Sequence, residues 1–186
     1  ASLVSTSGTG AFRVEDSVAN LTDNAGDLSA ATSVTVKLAG DGGDADLSNL
    51  TLDNDVDGID LNSQDAILTV AQHQNFTTIT ATGTETITLS NAGTVGGDSA
   101  VAKYILASEG GSTFTLGSGS QSVDATAGSG DTIVVDGLTP TGTIETVSGD
   151  TISLVEEDIS GANAEGNGAG SAFNADTLEL NGLVRM

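Results

Sequence analysis

The sequence predicts an all-β chain, a β-solenoid of the parallel β-helix or β-roll kind with a short N-terminal helix. Three observations carry this. Between Thr82 and Gly137 short apolar alternations recur, among them Thr86-Ile87-Thr88-Leu89, Phe114-Thr115-Leu116 and Ile133-Val134-Val135. Such β-branched and aromatic runs at a two-residue period suit half-buried strands. Each run is closed by Gly, Ser, Asn or Asp, and their centres fall at multiples of roughly eight to twelve residues. Strands this short bury too little apolar surface alone, so stacking on neighbours must supply the core. Lastly, four Phe, one Tyr and no Trp leave a core of Val, Ile, Leu and Ala, which suits a thin interior.

In chain order, Ala1 to Gly10 is Ser/Thr/Gly-rich and reads as an extended arm. Val14, Val18 and Leu21 stand at i, i+4 and i+7, with Glu15 and Asp16 suited to a first helical turn, which predicts a helix over Glu15 to Thr22. Residues 1–32 are therefore expected as an extended segment and helical cap, and 33–186 as the solenoid. Ser33 to Leu38 is the first clear strand. Brief strands follow at Leu50-Thr51-Leu52 and Ile59-Asp60-Leu61, then at Ile67 to Val70, with a turn or one helical turn near Gln72 to Asn75 and a strand over Thr77 to Ala81. After the central repeats, strands are expected at Gly142 to Val147 and Thr151 to Val155. Ser160 to Ser171 reads as a low-complexity surface loop, and Asp176 to Met186 as part of another strand. One Pro against 25 Gly says that glycine conformations make the turns.

Charge is the second strong signal. Twenty-six acids face only Arg13, Lys37, Lys103 and Arg185, a net −22. That charge repels itself unless cations surround the fold. Nucleic acid and an anionic membrane surface are disfavoured partners, since both call for Lys and Arg. The absence of Cys excludes disulfides and permits either redox compartment. No apolar run of about eighteen residues is present to insert into a bilayer as a helix. Ala1 is not an initiator and the first residues lack a signal layout, so a processed or excised piece is expected.

The acidic segment Gly40 to Asp65 holds the candidate metal ligands. Asp53, Asp55 and Asp57 alternate and Gly58 follows, like the front half of a calcium loop, with Ile59 and Asp60 next. The apolar residue comes one place early for an EF-hand, and Gln64 stands where a bidentate Glu belongs. Gly40 to Ser48 adds Asp41, Asp44 and Asp46 in an imperfect glycine-aspartate repeat. Gly117 to Val123 and Thr126 to Val134 match worn copies of the nonapeptide G-G-x-G-x-D-x-U-x. The first has Gln121 at the aspartate position; the second keeps Asp131 and Ile133 but displaces its glycines by one. Ca2+ is the expected cofactor, and a solvated acidic turn is the plain alternative at each place.

Here the chain resembles a known group. Thr69 to Phe76 (TVAQHQNF), Thr84 to Val95 (TETITLSNAGTV), Tyr104 to Ile133 and Val134 to Ile144 (VVDGLTPTGTI) look like repeats of large secreted bacterial surface proteins of the RTX type, adhesins and surface-layer proteins among them. The resemblance covers about a third of the chain. It implies type I secretion, an extracellular, cell-surface location, calcium-assisted folding and a structural or adhesive role. Strand-like ends and exposed edge rungs add self-association into a lattice or filament as the expected partnership, with a cell-surface glycan as the other.

Catalysis has thin support. His73 is the only His, expected as a turn residue; no Cys offers a nucleophile and no Ser lies in a G-x-S-x-G context. Zinc has too few nitrogen or sulfur ligands. The Gly-rich stretches open no Lys-bearing helix that would cradle phosphate. Paired carboxylates, Glu156 with Glu157 or Asp44 with Asp46, keep a polysaccharide lyase or epimerase open as an alternative, with Lys103 and Tyr104 as the sugar-holding neighbours. A glycan- or ice-binding module using a flat face of Thr84, Thr86 and Thr88 is the other.

Overall fold

The structure, a computed structural model, describes residues 13–18, 31–39, 43–52, 55–155 and 177–181. Its strands in chain order begin with β1 (Arg13–Ser17), β2 (Ser33–Lys37), β3 (Ala45–Asp46), β4 (Gly58–Asp60) and β5 (Ala66–Leu68). The helix α1 (Val70–Asn75) leads to β6 (Thr78–Thr80), β7 (Thr86–Leu89), β8 (Thr94–Gly96), β9 (Lys103–Ile105) and β10 (Thr113–Thr115). Then come β11 (Ser122–Asp124), β12 (Thr132–Asp136), β13 (Ile144–Glu145), β14 (Thr151–Val155) and β15 (Thr177–Asn181).

Every pairing is parallel and joins strands from successive turns of the chain, making a β-solenoid of about seven turns. The first sheet runs β1-β2-β4-β6, the second β3-β5-β7-β9-β11-β13 and the third β8-β10-β12-β14-β15. From β2 to β7 the described strands alternate between the first and second sheets, and from β8 to β14 between the third and second. Rung spacing in a parallel ladder is about 4.8 Å, so seven turns rise roughly 30 Å.

Register explains the core. Ile87, Tyr104, Val123 and Ile144 are successive partners on the second sheet, as are Val95, Phe114, Ile133 and Ile152 on the third; all eight are buried. Each short strand gives the core only one or two side chains, and stacking turns them into continuous apolar files. Their flanking residues stay half-exposed, as in the alternation of β2, where Val34 and Val36 point inward. A one-residue slip would reverse every such pair.

Two local expectations are corrected. Glu15 to Ser17 lie in β1, paired with β2 through Val14 to Val34 and Asp16 to Val36, and are not a first helical turn. Val14 and Val18, four residues apart, share a face of a strand as well as of a helix, and both pack against the core. The remainder of the expected helix after Val18 lies outside the described residues, as does Ser160 to Ser171. The strand expected at Leu50 to Leu52 is absent; its place is taken by β3, and Leu50 is an exposed hydrophobe in the turn that follows.

The helical turn near Gln72 is α1. Thr69 opens it with a capping box: its hydroxyl accepts the Gln72 N–H, and the Gln72 side chain accepts the Thr69 N–H. This cap ends β5 at Leu68, before the Val70 at which the apolar pattern had placed the strand's end. α1 then ties rungs together through side-chain amides. Gln72 donates to the Leu47 and Leu50 carbonyls, Gln74 to that of Thr94 and Asn75 to that of Val56.

Candidate functional site

The acidic turns bring their carboxylates to backbone amides. Asp57 Oδ1 accepts the Val34 N–H at 3.0 Å, one rung away. Asp65 Oδ1 accepts that of Thr86 at 2.7 Å, again one rung away. Asp60 takes the Asn62 N–H on Oδ1 and the Lys37 ammonium on Oδ2, which also reaches Glu15. Asp46 accepts the amide and hydroxyl of Ser48, and these bonds hold its carboxyl below the usual range. Asp44 is exposed and Asp55 half-buried, while Ile59 is a fully buried core residue at the centre of β4. Asp41 and Asp53 lie outside the described residues, as do Glu156 and Glu157.

Among the described residues no three His, Cys, Asp or Glu side chains converge closely enough to share a metal ion. A calcium shell needs six to eight oxygens around one point. Asp46, Asp57, Asp60 and Asp65 are instead spread along the rungs, each bonded to a nearby donor.

Gln121 stands where the repeat pattern has an aspartate. It is fully buried; its Oε1 accepts the Gly117 N–H at 2.9 Å, and its Nε2 donates to the carbonyls of Asp98 at 2.8 Å and Val101 at 3.0 Å. A carboxylate would serve the first contact and fail both others. Asp131 is also buried, and its Oδ1 accepts the Ser112 N–H.

The structure also opens a cleft of about 280 Å³ where the first sheet gives way to the third. His73, Gln74, Phe76, Gly97 and Asp98 line it. His73 belongs to α1 and is buried, so it is a packed helix residue and not an exposed turn. Its Nε2 lies 2.8 Å from the Tyr104 hydroxyl, which accepts the Asp98 N–H at 2.9 Å. The hydroxyl can donate its own proton to a neutral imidazole or accept from Nε2, according to the tautomer. Burial pushes the His73 imidazole below its ordinary value and the Tyr104 phenol well above its own. The rings meet edge-on at 5.5 Å, and Tyr104 leans on Phe114 at 4.8 Å. This is a satisfied aromatic stack; no carboxylate is hydrogen-bonded to the imidazole to form a relay.

Thr86 and Thr88 share the outward side of β7, and Thr84 lies exposed in the loop before it. Thr84 belongs to a loop closed on Glu85, Thr86 pairs beside Lys103, and Thr88 sits between Ile67 and Ile105. The threonine file is on the third sheet, where Thr94, Thr113, Thr132 and Thr151 are register partners 19 residues apart. That 19-residue period was visible in the sequence to a search for whole turns. No family profile, curated protein or solved structure matches this chain.

Proposed function

We propose that this chain is a structural segment of a secreted bacterial surface protein, a stiff acidic coil that spaces or joins other parts at the cell surface. The observation that carries the reading is where the polar side chains go. Asp57, Asp65, Gln72, Gln74, Asn75 and Gln121 are all spent on backbone groups of neighbouring turns. They brace the coil and leave no convergent set of reactive groups among the described residues. The resemblance to RTX-type repeats supports the extracellular location and the role.

Calcium enters this proposal with other cations, as a screen for the net −22. Thermal melts at low ionic strength test it. Equal ionic strengths of calcium, magnesium and sodium chloride should each raise Tm, and excess chelator at moderate salt should leave it unchanged. A saturable rise specific to calcium at stoichiometric amounts would replace screening by a bound-ion mechanism. Electron micrographs of the purified chain test the structural role: elongated particles or ordered assemblies are expected, and product release from alginate or pectin would overturn it.

One observation favours a second reading as a binding module. The file Thr94-Thr113-Thr132-Thr151 repeats at the rung spacing of about 4.8 Å, a regular row of hydroxyls and methyls suited to an ordered glycan or to ice. Retention on insoluble glycans or shaping of ice crystals, lost on replacing Thr113 and Thr132 by Lys, would establish it; inertness in both assays removes it.

A further inference from the structure

The cleft beside α1 lies where one sheet stops and another starts. β6 is the last strand of the first sheet and β8 the first of the third. β6 bonds to β4 through Thr80, whose carbonyl accepts the Leu61 N–H, and β8 bonds to β10 through Gly93 and Gly97. In a parallel ladder the N–H and C=O of one residue point to one side and those of the next residue to the other. Ile79 and Gly96 therefore turn their backbone groups to the two unpaired edges. Both line the cleft, with Phe76 beside them, so its walls combine apolar side chains with open backbone.

Two polar side chains of the cleft keep an atom in reserve. His73 is 6% exposed; its Nε2 meets the Tyr104 hydroxyl at 2.8 Å, while Nδ1 takes no bond among the described residues. Asp98 is half-buried and accepts the Ala100 N–H at 2.8 Å on Oδ1, with no donor on Oδ2 among the described residues. The two groups are near enough for the Asp98 carboxylate to oppose the burial that lowers the imidazole. The ammonium groups of Lys37 and Lys103 are held elsewhere, by Glu15 and Asp60 and by Asp124.

What each group can give or take selects the ligand. An anion is repelled by Asp98 and by the net −22. A cation suits Asp98 but cannot accept from Nδ1 when the ring carries its proton there. A hydroxyl serves either tautomer, accepting from Nδ1–H or donating to a bare Nδ1, and a neighbouring hydroxyl donates to Asp98 Oδ2. Clefts for drug-sized ligands run about 300–1,000 Å³, so one of about 280 Å³ takes a single small unit. We propose that the cleft binds one pyranose unit, with His73 and Asp98 on adjacent hydroxyls and Phe76 and Ile79 against its C–H face. The site is separate from the threonine file and stands independently of the structural role proposed above.

Nitrogen NMR of the whole chain, titrated with the methyl pyranosides of glucose, mannose, galactose and N-acetylglucosamine, reads this directly. At least one should shift the His73 ring nitrogens and the Ile79, Gly96 and Gly97 amides saturably, with a Kd of about 1–10 mM. D98N keeps the acceptor for Ala100 but loses the charged one, and should weaken binding about tenfold or more. Replacing Thr113 and Thr132 by Lys should leave it unchanged. Oligosaccharides ending in the same sugar separate the two sources: tighter binding than the methyl glycoside supports a glycan end, equal binding a free sugar. No saturable shift with any of the pyranosides well above that Kd overturns the proposal, whether or not D98N folds. So do shifts confined to the threonine file, or D98N binding as tightly as the unsubstituted chain.

Discussion

Glu85 offers the sharpest test of the claim that buried polar side chains hold the turns. It is 2% exposed, and its carboxylate closes the loop before β7: the Thr82 N–H reaches both oxygens at 2.9 Å, the Thr82 hydroxyl reaches Oε1 at 2.6 Å and the Thr84 N–H reaches Oε2 at 3.0 Å. Burial by itself would raise the carboxyl, but these donors prevail and bring it from 4.5 to about 2. At roughly 1.4 kcal/mol per pKa unit, that shift corresponds to a ceiling of about 3 kcal/mol for the ionised form. Thr82, Gly83 and Thr84 are exposed, so water screens part of this and about 1.5–3 kcal/mol is the working figure. In E85Q the amide NH2 would face N–H donors, and Tm near neutrality should fall by about 3–10 °C. Because the folded value is depressed, the contribution is present above pH 4.5 and is lost as pH falls toward about 2. The gap between E85Q and the unsubstituted chain should therefore shrink in melts at about pH 2.5. Equal gaps at both pH values, or no gap near neutrality, would refute the reasoning.

Three further substitutions probe other parts of the coil. Q121E places a carboxylate at this buried position; it should cost about 2–4 kcal/mol in urea unfolding with calcium or without it, as two carbonyls lose their donor and a charge is buried. Stabilisation of Q121E by calcium would contradict this. Y104F leaves the Asp98 N–H and His73 Nε2 without their shared partner, for an expected loss of about 1–3 kcal/mol. In the unsubstituted chain the depressed His73 contributes stability above its unfolded value of 6.5 that falls away as pH drops toward its lower folded value, which pH-dependent melts and imidazole NMR can follow. F114A should cost about 3–5 kcal/mol, since Phe114 is fully buried against Tyr104 within a file that has no other aromatic of its size.

The coil itself was legible because its signal is redundant. Alternation, glycine turns and spacing all point the same way at Thr86 to Leu89, Phe114 to Leu116 and Ile133 to Val135, and stacking gives each weak strand a neighbour. The strand at Arg13 to Ser17 was misread because a spacing of four fits both periods; only the partner strand at Ser33 to Lys37 decides it. β3 and β8, two and three residues long, carry too little apolar pattern to announce themselves and exist through their partners. The bonds of Glu85, and that of Asp150 to the Asp131 N–H, were invisible for a related reason. Their donors are backbone amides, some of them a full turn away, and a backbone amide leaves no mark on the sequence.

The same cause explains why acidic turns resemble metal loops. A calcium shell and a strand end pose one chemical problem: hard positive points must be met by oxygens from short side chains on a sharply turning backbone. Asp-x-Asp-x-Asp-Gly answers it for a cation, and in this coil Asp57 and Asp65 answer it for the amides of Val34 and Thr86. Sequence spacing alone does not separate the two uses, because both need the carboxylate and the glycine. Gln121 does separate them. Its amide brings no negative charge to a cation, and here both ends are taken by the backbone: the oxygen accepts from Gly117 while the NH2 donates to Asp98 and Val101. At Gly117 to Gln121 the turn is held by this backbone capping.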